Sequence, residues 1–157
     1  MDQEKFDNAV QAMKSQDYLA AERLFSKIHD DLDTSAEQYN LLASWLGLAR
    51  VLNGDEEGKL LCRDAAGHEI KNGVVFLNLA AAEWVSENRK RTIDAIRRGK
   101  KVDADNERLK HACELFDCRK RCCFNFLPRG HWFNRLVGRL RRRPAEPISV
   151  HQLLFGK

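Results

Sequence analysis

Gly58-Lys59-Leu60-Leu61-Cys62-Arg63-Asp64-Ala65 and Thr92-Ile93-Asp94-Ala95-Ile96-Arg97-Arg98-Gly99 carry one pattern twice. Gly58, Cys62 and Ala65 in the first stretch become Thr92, Ile96 and Gly99 in the second, 34 positions later. Shifted back by 37 positions, the same slots hold Ala21, Phe25 and Ile28. Steps of four and three place each triple on one face of a helix. A period near 34 belongs to stacked helix–turn–helix units, which bury their apolar faces only against neighbouring units. The spacing predicts an all-α protein of about three antiparallel hairpins. The three extra residues of the first interval fall in the polar connection 30–35, a loop where insertion costs little.

Working outward from these stretches, the remaining helices fall into place. Phe6, Ala9, Val10 and Met13 recur at helical spacing and pair with the helix of Ala21, Leu24, Phe25 and Ile28, across a break at Gln16-Asp17-Tyr18. Tyr39, Leu42, Trp45, Leu46, Ala49 and Leu52 form one broad apolar face, stopped by Asn53-Gly54-Asp55. There Gly54 supplies a left-handed turn. Val74, Leu77, Leu79, Ala80, Ala81 and Trp84 mark the first helix of the third hairpin, which breaks at Ser86-Glu87-Asn88. A further helix over residues 106–119, with Leu109, Ala112, Cys113 and Phe116 on its apolar side, is expected to cap the last hairpin.

The chain of 157 residues suffices for a single core of ordinary size. Its three prolines and nine glycines suit a helical protein. No apolar run reaches the roughly 18 residues of a membrane span, and Met1-Asp2-Gln3-Glu4-Lys5 has no apolar signal core. The expected compartment is the cytoplasm, with the five cysteines as free thiols. Charge divides the chain. Residues 1–117 hold 17 basic and 22 acidic side chains, whereas residues 118–145 hold nine basic and no acidic ones. We therefore divide the sequence into a helical repeat domain, 1–119, and a basic, aromatic C-terminal segment, 120–157.

These residues resemble the tetratricopeptide repeat family. Asp17-Tyr18, Ala21 and Phe25 match its pattern in the first hairpin. Trp45, Leu46-Gly47 and Gly54-Asp55 match it in the second. Leu79-Ala80, Asn88-Arg89, Thr92, Ile96 and Asp103-Ala104-Asp105-Asn106 match it in the third. The proline that usually closes a repeat is missing from all three. The resemblance implies a short right-handed superhelix and a protein–protein adaptor or chaperone without enzymatic activity or cofactor. In size and repeat number the chain also looks like the small repeat chaperones of bacterial secretion systems, from which its basic tail departs.

In that family the first helix of each hairpin lines a concave groove. Carried over, the partner-binding groove would be formed by Phe6, Val10, Met13, Asn40, Arg50, Leu77 and Trp84. Trp84 would be its aromatic anchor and Arg50 its charge, the residue types that dominate binding energy at interfaces. Packing between hairpins accounts equally well for Trp84, and a surface ion pair for Arg50. Family members that clamp a terminal carboxylate use Lys, Asn and Arg where Phe6, Val10 and Ala43 stand, so that role is not expected.

Residues 131–142 read as an amphipathic helix, with Trp132, Phe133, Leu136, Val137 and Leu140 on one face. Arg129, Arg135, Arg139, Arg141, Arg142 and Arg143 make this segment a candidate contact for an anionic partner. That partner could be an acidic protein, a nucleic acid or a membrane surface; docking on the acidic repeat body is the other reading. Ser149 to Lys157 form a short tail with Leu153, Leu154 and Phe155, either docked or loose. An exposed repeat edge would also allow a homodimer.

His111, Cys113, Cys118, Cys122 and Cys123 form one crowded set, where structural zinc sites need two separated pairs. No metal is expected, and the cysteines read as small buried hydrophobes or, beside Arg119, Lys120 and Arg121, as reactive thiolates. There is no phosphate loop and no paired histidine–glutamate motif.

Overall fold

The computed structural model describes residues 2–33, 38–116 and 148–156. Among these, every regular element is a helix: α1 (Gln3–Lys14), α2 (Tyr18–Asp30), α3 (Tyr39–Leu52), α4 (Gly58–His68), α5 (Gly73–Val85), α6 (Arg89–Val102), α7 (Glu107–Leu115) and α8 (Val150–Phe155). The all-α expectation holds for them. The expected helix over 131–142 lies outside the described residues.

Short polar side chains start all the described helices except α3 and α4, which have no side-chain cap. Asp17 accepts the Ala20 N–H at 3.0 Å to open α2, and Asn88 accepts the Arg91 N–H at 3.4 Å to open α6. Asn72 and Asn106 do the same for α5 and α7. Each of these bonds satisfies a backbone donor that the helix itself leaves unpaired. The α1–α2 and α5–α6 turns are alike. Each holds one non-glycine residue at positive φ, Gln16 at 63° and Glu87 at 58°, directly before the capping Asp17 or Asn88. The α3–α4 turn differs. It uses Gly54 at φ 94° and continues through Glu57, so α4 starts at Gly58.

The repeated slots behave as one buried stripe. Ala21, Phe25 and Ile28 on α2, Gly58, Cys62 and Ala65 on α4, and Thr92, Ile96 and Gly99 on α6 are all buried. Chain neighbours pack together throughout: α1 with α2, α2 with α3, α3 with α4, and so on to α6 with α7. Alternate helices also meet, α3 on α5 and α5 on α7. A pair 34 residues apart ties the first of these contacts: the Asn78 amide donates to Ser44 Oγ at 3.0 Å, and Ser44 Oγ donates to the Leu41 carbonyl at 2.7 Å.

Helix α5 is central, packed against α3, α4, α6, α7 and α8. Its first ten residues, Gly73 to Ala82, carry no charge, as a helix enclosed on all sides requires. Between α3 and α4 the backbones nearly touch. A Cβ built on Gly47 would lie 2.6 Å from the Gly58 carbonyl oxygen and 2.8 Å from Cys62 Sγ. Both positions need glycine for that approach.

Candidate partner-binding face

Helix α8 lies against α5 and α7. The tail that the sequence left either docked or loose is therefore docked. Ser149 caps it: its hydroxyl accepts the Gln152 N–H at 3.0 Å, while the Gln152 side chain accepts the Ser149 N–H at 3.2 Å. Gly156 ends it at φ 79°. Leu153 and Leu154 are buried in the common core, and Ile148, Val150 and Phe155 pack at its margin.

Two tryptophans receive this helix. The Trp84 indole N–H on α5 donates to the Ile148 carbonyl at 2.9 Å. Trp84 also meets Phe116 edge-on, with centroids 4.9 Å apart at 82°. Trp45 on α3 has Phe155 stacked on it at 6.3 Å and Phe25 at 5.9 Å, and Phe25 meets Phe6 edge-on at 5.9 Å. An aromatic row thus runs from α1 to the end of the chain. Offset stacks and edge-on pairs of this kind add roughly 0.5–1.5 kcal/mol each beyond burial. Cations lie beside two of these rings: the Lys14 ammonium is 6.0 Å from the Phe155 ring and the Arg89 guanidinium 5.6 Å from the Phe116 ring.

The residues expected to line a groove divide on this geometry. Trp84 is half-buried and meets the α8 segment directly. Val10 and Asn40 are half-buried, Val10 packing against the core. Phe6, Met13 and Leu77 are buried in the core and offer no free surface. Phe6 is held by Phe25, and Leu77 belongs to the enclosed α5. Arg50 turns the other way: its Nε lies 3.7 Å from Glu22 Oε1 on α2, and Asn53 donates to the second oxygen of the same carboxylate at 2.6 Å. Of the two readings open for Arg50, the ion pair is the one present. The six arginines at 129, 135, 139 and 141–143 lie outside the described residues.

Sequence reasoning missed Trp45 and Phe155 as contacts. The Ser149-Val150-His151-Gln152 capping box, followed by Leu153-Leu154-Phe155-Gly156, was the available signal for a helix there.

A second polar feature joins α4 to α5. Arg63 Nε donates to Glu83 Oε1 at 2.7 Å, and this bond raises the Arg63 pKa. The pair borders a cavity of about 270 Å³ that Arg91, Asp94 and Arg98 also line. Glu83 Oε2 is buried without a hydrogen-bond partner. Arg98 is committed elsewhere, donating to the Ala66 carbonyl at 2.9 Å with its guanidinium 5.2 Å from the Phe76 ring. Among the described residues no cluster of three or more His, Cys, Asp or Glu side chains could hold a metal. Cys118, Cys122 and Cys123 lie outside them. Nor is any described helix long and apolar enough to cross a membrane.

Cys62 is fully buried, its Sγ donating to the Ser44 carbonyl at 3.4 Å. Burial, reinforced by the Glu83 charge, pushes its thiol up to about 12 from 9.0. The unfolded chain therefore ionises this thiol near pH 9 and the folded chain near pH 12. Its contribution is complete below pH 9 and falls as pH rises, by at most about 1.4 kcal/mol per unit. Urea titrations between pH 8 and 10.5 should show a shallower alkaline loss for Cys62→Ala than for the parent chain. Equal slopes would refute this account of the thiol.

Known protein families, curated proteins and solved structures were all compared with this chain, and none matches it.

Proposed function

We propose that this protein is a non-enzymatic adaptor or chaperone of tetratricopeptide-like design. Its hairpins would stack as a short right-handed superhelix, and the face of α3, α5 and α7 would bind a partner helix. One observation carries the reading: that face already receives a short helix, α8, through Trp84 and Trp45. The face presents what helix-in-groove recognition uses, an apolar bed with aromatic anchors and one directed donor. Arg50, turned to Glu22, has no part in it.

The test is selection from a library of short helical peptides on the full chain, repeated with Trp84→Ala and Arg50→Ala. Enriched peptides should carry large apolar residues spaced as Ile148, Leu153, Leu154 and Phe155 are. Binding should weaken at least tenfold with Trp84→Ala and stay within twofold with Arg50→Ala. Selection that survives Trp84→Ala in a folded variant would remove this face from the function.

A further inference from the structure

We infer that residues 148–156 are a built-in competitor for the partner site, and that the partner is a short amphipathic helix with the same apolar signature and added acidic side chains. This rests on the reading of the face as a partner site. Three features of α8 carry the inference.

The helix is six residues long, too short to persist in water on its own. Its capping bonds, from Ser149, Gln152 and Gly156, lie within the segment and shape it without attaching it. What attaches it is ligand-like: two buried leucines, Phe155 on Trp45, and the Trp84 donor to a backbone carbonyl. A backbone acceptor is present in any helix-bearing segment, so this contact asks for a chain terminus or helix start and not for one side chain. Without α8 the two indoles would border an uncovered apolar face, which soluble proteins rarely leave open.

The charge pattern says what could displace it. The site is bordered by cations at both ends of α8. Lys14 lies over Phe155 at one end, and Arg89 over Phe116 beside Trp84 at the other. Residues 148–156 contain no Asp or Glu. A competing helix with acidic residues at its start gains an attraction that α8 lacks, and a ligand shifts an equilibrium only through such a difference. While α8 is seated, the apparent affinity for any partner is lowered by the fraction of chains whose face is open.

The experiment uses a fluorescein-labelled peptide of residues 147–157, read by anisotropy against the full chain and its Leu154→Asp variant. The variant should bind the peptide at least tenfold more tightly than the parent chain. A second peptide, carrying Ser149→Asp and Gln152→Glu, should bind the variant several-fold more tightly again, and Arg89→Gln should abolish that gain. Because Leu154→Asp could impair folding, a specific protease site is also written into residues 141–146 of the otherwise intact chain and cut after folding. The cut protein should exchange its own C-terminal fragment for labelled peptide.

Equal binding to parent and variant would overturn the competitor and leave the partner face standing. A folded variant or cut chain that takes up no peptide would overturn both. An acidic peptide with no advantage overturns the partner chemistry. A stable dimer of the parent chain by light scattering, with α8 exchanged between copies, overturns occupation within one chain.

Discussion

Gly58→Ala should destabilise the protein by about 2–3 kcal/mol, whereas Gly67→Ala, in the same helix, should stabilise it by up to about 1 kcal/mol. Both replacements add one methyl group to α4, and both remove the same conformational cost of glycine in a helix. The surroundings set opposite signs. A Cβ on Gly58 would press on the Gly47 carbonyl oxygen and lie 2.8 Å from Arg50 Cβ and 3.0 Å from the Val51 nitrogen. These are backbone atoms, or atoms next to the backbone, so no rotamer change relieves the clash. The two helices must separate, and the packing of Cys62 against Ser44 goes with them. A Cβ on Gly67 meets nothing within 4 Å. Against a total stability of about 5–15 kcal/mol, the Gly58 change is large. Urea midpoints of the two variants check the prediction. Two shifts of the same sign would mean that α3 and α4 are not in backbone contact here.

The periodic part of the fold was legible because each repeated slot is a local demand for burial. Nine slots in three helices were read from spacing alone, and all nine are buried. The turns were legible where a polar cap follows a break, at Asp17 and Asn88, and less so at α3–α4, where no side-chain cap opens α4. The face was harder to read. A carry-over by repeat position cannot see that α5 is enclosed by α3, α4, α6, α7 and α8 together, so Leu77, placed on the groove, is buried. Arg50 was left between a groove contact and an ion pair for a related reason: its direction is set by Glu22, 28 positions earlier. The docking of α8 depends on contacts from residue 155 to residue 45 and from 148 to 84, which no local pattern encodes.

Arg63→Ala should cost about 3 kcal/mol, Glu83→Met far less, and the double variant Arg63→Met/Glu83→Met should fall within about 1 kcal/mol of the parent or exceed it. The two partners of this ion pair are not equally placed. The Arg63 side chain is 38% exposed and the Glu83 side chain 3%. Once Glu83 is gone, the guanidinium still reaches water, and an orphaned oxygen disappears with the carboxylate, since Oε2 has no partner even in the intact protein. Once Arg63 is gone, a buried carboxylate loses its one hydrogen bond at Oε1 and keeps both oxygens uncompensated, apart from what the neighbouring cavity admits. Removing both charges and filling the space with apolar side chains avoids either penalty, because desolvating the pair costs about as much as its attraction returns. A double-mutant cycle in urea measures the asymmetry directly. Equal single costs that sum in the double variant would show that the pair behaves as a solvated surface contact, and that Glu83 is not the buried charge on which this argument depends.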